Sequence, residues 1–161
     1  MTNKPGRMKV GSIGDALEGI VLVKALAGAG HTAEAIHLQA ENSVERADSL
    51  LPQVEIVSMQ EVIERCDLII MAMSAEEIEE AVTGLAQLGY FSPGKIVMHC
   101  SAERGYSILA SAARAGAIPI AMHPVVDFTG TSVDLLSLQD SVSAVTAPDS
   151  VLPIAQGLAL E

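Results

Sequence analysis

Aromatic residues are scarce in this chain of 161: Tyr90, Phe91, Tyr106 and Phe128 are all of them, and tryptophan is absent. Single-stranded nucleic acid is held by stacking bases on aromatic rings, which this chain lacks. Positive charge is scarce as well, with 9 Lys and Arg against 20 Asp and Glu and a formal net charge of −11. That balance repels a polyanion and excludes nucleic acid as a partner. It also works against any phosphorylated ligand unless local dipoles overcome it. There are 2 cysteines, Cys66 and Cys100, in or beside apolar runs. Their spacing matches neither a metal site nor a redox motif, so they read as structural thiols of a reduced, cytoplasmic setting. No apolar run reaches the ~18 residues of a membrane span. The short polar start, MTNKPGR, leads into no signal-peptide core.

What the chain does have is aliphatic bulk: half of it is hydrophobic, mostly Ala, Val, Ile and Leu. The length suits one domain over 1–161 with a flexible start over 1–7. Short apolar runs predict strands at 8–13, 32–37, 54–57, 67–73, 95–100, 117–122 and 141–146. Helical patterns predict helices at 16–29, 43–50, 59–65, 75–88, 104–115 and 148–160. Ser74 with Glu77 three residues on forms a capping box for the fourth helix. Glu76, Glu77, Glu79 and Glu80 then favour its dipole and read as a solvated helix start, not a metal site. The polar stretch 125–140 reads as a long connection holding a helical turn. The last helical pattern runs into GLALE at the final residue, as in a partial chain. Alternating strands and helices specify an α/β, doubly wound, mostly parallel sheet with helices on both faces, in the order 3-2-1-4-5-6.

The segment MKVGSIGDALEGIVLVKALAGAG reads as a strand, a glycine turn and a helix, the opening of a dinucleotide-binding unit. The usual G-x-G-x-x-G becomes Gly14-x-Ala16-x-x-Gly19. The first glycine makes the turn, the second lets backbone approach a pyrophosphate, and the third lets helix pack on strand. Here the bend and the packing are kept, while the phosphate seat is altered. Asp15 stands where an N-cap carboxylate could take the helix's free amides, placing the chain's own anion in the ligand's position.

At the end of the second strand, an NAD site wants an acid and an NADP site an arginine. The residues there are His37, Leu38, Gln39 and Ala40, with the acid Glu41 slightly late, and none of them decides the cofactor. The carboxyl edge of the later strands, where open α/β sheets bind ligands, offers Met73-Ser74, His99-Cys100-Ser101 and His123-Pro124. His99 and Ser101, two apart, could share one side of an extended backbone. No nucleophile elbow surrounds Ser101, so a hydrolytic Ser–His pair is the weaker reading. A zinc site from His99, Cys100 and His123 is disfavoured because adjacent strand residues point to opposite faces.

The run from His99 to Ser150 resembles the N-terminal domain of the Rossmann-like family that carries the C-terminal domain of unknown function 2520. Its motifs stand here as His99-Cys100-Ser101-Ala102-Glu103-Arg104-Gly105, Ala121-Met122-His123-Pro124 and Phe128-Thr129-Gly130-Thr131. That family is similar to pyrroline-5-carboxylate reductase and the β-hydroxyacid dehydrogenases, which implies an oxidoreductase with NADP or NAD as cofactor. The resemblance also implies a helical C-terminal domain, not found in this chain, that brings dimer contacts and the catalytic side chain. Ala16, Glu18 and Gln39 depart from the family's pattern. The expectation is therefore a dinucleotide domain with weakened or lost cofactor binding. In it Gly14, Asp15, Ala16 and Gly19 underlie the pyrophosphate, and His37 and Gln39 adjoin the adenosine ribose. Met73 and Ser74 line the cleft, His99 and Ser101 face the nicotinamide, and no residue is assigned to catalysis or metal. The alternative is a non-catalytic Rossmann-like scaffold that uses the same crevice for another small molecule or a partner, a homodimer arising only with a C-terminal domain.

Overall fold

The computed structural model describes residues 6–161, so the flexible start expected over 1–7 falls mostly outside the described residues. Seven strands form one sheet: β1 (Lys9–Ile13), β2 (Thr32–His37), β3 (Glu55–Ile56), β4 (Leu68–Met71), β5 (Ile96–His99), β6 (Ile118–Pro124) and β7 (Ser143–Thr146). Their order is β3-β2-β1-β4-β5-β6-β7, which extends the order read from the sequence by one strand. Neighbours pair in parallel except β6 with β7, which run antiparallel.

The helices are α1 (Leu17–Gly28), α2 (Glu41–Leu50), α3 (Met59–Arg65), α4 (Ala75–Gln87), α5 (Ala110–Arg114), α6 (Val133–Gln139) and α7 (Leu152–Ala159). The period of two along a strand sends alternate residues to opposite faces. Val10, Leu68, Ile70, Ile96 and Met98 thus pack with residues of α1, α2 and α7. Ile13, Ile69, Met71 and Val97 pack with residues of α3, α4 and α5. Burial on both faces explains why β4 and β5 are apolar at nearly every position. No helix among the described residues is long and apolar enough to cross a membrane.

Three expectations need correction. The helix expected over 104–115 is a 3-10 turn, Tyr106–Leu109, followed by the short α5. The stretch 125–140 holds a full α6 over Val133–Gln139, started by the bend at Gly130. The last helix begins at Leu152 rather than 148, because Pro148 and Asp149 belong to the turn ahead of it.

Glycine is required where the backbone crowds. A Cβ at Gly14, which has φ +114°, would lie 2.1 Å from the carbonyl oxygen of Ala72. A Cβ at Gly19 would lie 2.6 Å from Cβ of Ala72, so α1 rests on the end of β4 at van der Waals distance. The first and third glycines of the motif do what the sequence assigns them. Together they bring the start of α1 to the carboxyl edge between β1 and β4.

Candidate functional site

At that edge opens a cleft of about 700 Å³ over the ends of β1, β2 and β4. Gly14, Asp15 and Ala16 form one wall, His37 and Gln39 the second, and Met73 and Ser74 the third. Seven of the residues singled out in the sequence therefore meet in one place. Gly19, His99 and Ser101 do not line it.

The first turn of α1 is open. Its N-cap is Ala16, in extended conformation with ψ 142°, and no side chain caps it. The expectation that Asp15 occupies these amides is overturned, because Asp15 stands one residue ahead of the cap and turns the other way. Its Oδ1 accepts the amides of Gln39 at 3.1 Å and Ala40 at 3.0 Å, beyond the end of β2. Ala40 is the N-cap of α2, so the carboxylate from the β1–α1 turn serves the start of a different helix. α2 begins at Glu41, two residues before the helix read from the sequence. Burial alone would raise the Asp15 pKa, but the amides of Ala40 and Gln39 outweigh it and hold the carboxyl below the ordinary value. Asp15 is ionised at neutral pH.

The rest of the cleft carries two acids among apolar side chains: Glu77 and Glu80 of α4 line it, and among the described residues no lysine or arginine does. Glu77 belongs to the capping box: Ser74 Oγ accepts the Glu77 amide at 3.3 Å, and Glu77 Oε2 accepts the Ser74 amide at 2.9 Å. Those bonds to Ser74 lower the Glu77 pKa. Ser74→Ala is expected to destabilise the fold by about 1 kcal/mol through loss of the cap, read as an earlier midpoint in urea unfolding.

His37 lies at the β2 wall with Nδ1 2.8 Å from the carbonyl oxygen of Val57. Nδ1 therefore carries the hydrogen and donates it. Nε2 is buried and without a partner among the described residues.

His99 is fully buried under the edge. Its Nε2 donates to the carbonyl oxygen of Gly105 at 2.9 Å, and its Nδ1 accepts the amide of Ser101 at 3.1 Å. Burial lowers its pKa against the opposing pull of the Gly105 carbonyl, which fits this neutral tautomer. The serine meets the imidazole through its amide and not its hydroxyl, so the two do not form a nucleophile and base. His99 instead pins the loop 101–105 that carries Ser101. His123 ties neighbouring strand ends in the same way, donating from Nδ1 to the carbonyl oxygen of Cys100 at 3.0 Å. Cys66 and Cys100 are buried free thiols; burial pushes the Cys66 pKa up to about 11 and raises that of Cys100 further.

One residue passed over in the sequence organises the neighbourhood. Asp134, 1% exposed, accepts the amides of Thr129 and Gly130 at 3.0 and 2.8 Å and the Thr129 hydroxyl at 2.7 Å. The loop it holds presses on α1 and α2, since a Cβ at Gly130 would lie 2.8 Å from Leu17 Cδ2 and 2.9 Å from Arg46 Cδ. The signal was there: Thr129-Gly130-Thr131 followed by an acid four residues after the glycine is a self-bonding turn pattern.

No curated protein matches this chain in sequence. Solved structures match it in fold. Pyrroline-5-carboxylate reductase from Coxiella burnetii superposes with a TM-score of 0.72 at 9% identity, over 96% of this chain and 56% of the reductase. An imine reductase from Bacillus cereus gives 0.70 at 13% identity, over 92% of this chain and 50% of that one. A semialdehyde dehydrogenase NAD-binding protein from Cupriavidus necator, solved in complex with calcium and NAD, gives 0.67 at 17% identity, over 96% and 59%. The chain thus spans between 50% and 59% of the length of these structures. At these identities the likeness is one of fold. The model of the Rossmann-like domain matches residues 2–124. With that match over most of its length, the chain belongs to the Rossmann-like domain family.

Proposed function

We propose that this domain is the dinucleotide-binding half of a reductase-type, NAD(P)-dependent protein. The observation that carries the reading is the uncapped first turn of α1, opening on a cleft of about 700 Å³ beside Gly14 and Gly19. Free amides at a helix start are a seat for a pyrophosphate, and the glycines hold that start against β4. Gly14, Ala16 and Gly19 would underlie the pyrophosphate, with His37 to Gln39 beside the adenosine ribose. Met73 and the Ser74 hydroxyl would border the chain of the ligand, and Ser101, on the loop pinned by His99, would approach the nicotinamide end. The cofactor would supply hydride chemistry, and the protein orientation and shelter from water.

Binding is expected to be weaker than in a site with all three glycines. Ala16 brings a methyl group to the place of closest backbone approach, and the acids of the cleft oppose the ligand's charge. The companion catalytic groups and dimer contacts would come from a further helical domain of the whole protein.

Thermal unfolding with NAD, NADH, NADP and NADPH tests the reading. A ligand at 100 times its dissociation constant stabilises the native state by about 2.7 kcal/mol. For a chain of this size that is an upward shift of roughly 5–10 °C. At least one of the four is expected to raise the midpoint, and Ala16→Gly to enlarge the shift. No shift with any of them, in either protein, would overturn the assignment.

A further inference from the structure

We propose that Asp15 makes this cleft selective for a dinucleotide with a free adenosine 2′-hydroxyl, NAD(H), and against the 2′-phosphorylated NADP(H). The inference rests on the dinucleotide reading above and deepens it. In such sheets the adenosine ribose lies at the end of the second strand, where an acid accepts from its hydroxyls or a cation receives the 2′-phosphate. The end of β2 here offers His37, Leu38 and Gln39, with no lysine or arginine, and its first acid, Glu41, already belongs to α2. The acid comes from across the cleft: Asp15, on the β1–α1 turn, holds the amides of Gln39 and Ala40 at 3.1 and 3.0 Å.

Those amides lie immediately ahead of α2, beside the helix start where a phosphate would be held. They are already engaged by the chain's own anion. A 2′-phosphate entering there would have to displace the carboxylate or lie beside it. No lysine or arginine among the described residues lines the cleft to offset the repulsion, and Glu77 and Glu80 add charge of the same sign.

A ribose diol meets the opposite conditions, because it brings hydrogen-bond donors. Asp15 Oδ2 receives a long bond of 3.3 Å from the Gln39 amide, and a carboxylate oxygen can accept more than one hydrogen bond. His37 Nε2 stands nearby without a partner among the described residues. A carboxylate with spare capacity suits hydroxyl groups, while a phosphate dianion has no hydrogen to give it.

Calorimetric titration of the full chain with NADH, NADPH, AMP and adenosine 2′,5′-bisphosphate tests this. NADH is expected to bind more tightly than NADPH by about tenfold or more, the factor that ~1.4 kcal/mol makes in an equilibrium. Asp15→Asn keeps an oxygen on the amides and removes the charge, so the preference should narrow. Asp15→Ala also frees the amides and should narrow it furthest, by about tenfold. AMP should follow NADH through the series and the bisphosphate should follow NADPH. If Asp15 merely braced the loop, both coenzymes would weaken in parallel with their ratio unmoved, which overturns the inference. Equal affinities in the unaltered protein overturn it as well, with no variant needed, and leave the dinucleotide reading standing. Absence of binding by both coenzymes overturns that reading and this inference together.

Discussion

Gly14→Ala is expected to lower the thermal midpoint by about 10 °C, the largest effect of any single methyl group in the first turn. Two costs combine. A residue with a side chain held at φ +114° is strained, by ~1–3 kcal/mol. Its Cβ would also lie 2.1 Å from the Ala72 carbonyl oxygen, which is backbone of the neighbouring strand end and has little room to move. Forcing atoms into a packed region costs a further ~1–3 kcal/mol, and each kcal/mol is worth ~2–4 °C for a protein of this size. Gly84→Ala is the control. Its Cβ would meet nothing within 4 Å and its backbone is helical, within α4, so the same change should stabilise by about 1 kcal/mol. Calorimetric scans of the two variants should move in opposite directions. A Gly14→Ala midpoint within a degree or two of the unaltered protein would contradict the crowding described at Ala72.

Asp134→Ala is expected to cost roughly 3 kcal/mol and to release the loop around Thr129 and Gly130. The carboxylate is 1% exposed and holds two amides and a hydroxyl. Truncation leaves the buried Gly130 amide and the part-buried Thr129 amide without their acceptor, at ~1–3 kcal/mol for each one that water cannot reach, while the Thr129 hydroxyl keeps Thr131 Oγ1 at 2.8 Å. Urea unfolding measures the total, and amide exchange at Thr129 and Gly130 localises it. Exchange unchanged at both amides would mean that the loop does not depend on Asp134. The same group sets a pH dependence. Burial alone would raise its pKa, but the Thr129 hydroxyl and the Thr129 and Gly130 amides outweigh burial and place it below the ordinary 3.8. Its stabilisation is therefore complete above the unfolded value and is lost as pH falls through the lower folded one. The loop should stay closed at pH 5 and loosen only in stronger acid.

The sheet was legible because each strand is a short apolar run and the glycine turn starts a parallel crossover. Residues such as Ile69 and Ile70 face opposite cores and both must be apolar. The direction of β7 was not legible, since its alternating composition fits either sense. The site was legible as a location and less so as geometry. Asp15 looks like a helix cap in the sequence because caps and turn residues share the same types. Its role was decided by Ala16 taking the extended N-cap conformation, which leaves Asp15 one position too early to reach the amides of α1. His99 and Ser101 were expected side by side on a strand, but β5 ends at His99 and the chain turns back so that the Ser101 amide meets the imidazole. Two-residue spacing holds only while the backbone stays extended. Asp134 was missed because its partners lie in a loop, where no periodicity marks burial.

The borders of the sheet govern how this domain meets copies of itself. One border is β3, only Glu55–Ile56, and Glu55 is engaged by Arg65 at 2.6 Å. The other is β7, four residues long and followed by Pro148, which has no backbone hydrogen to offer. Neither rim gives an incoming strand a long, flat row of free amides and carbonyls to template on. Among the described residues, fibril-like growth by strand addition has no ready starting point at either border.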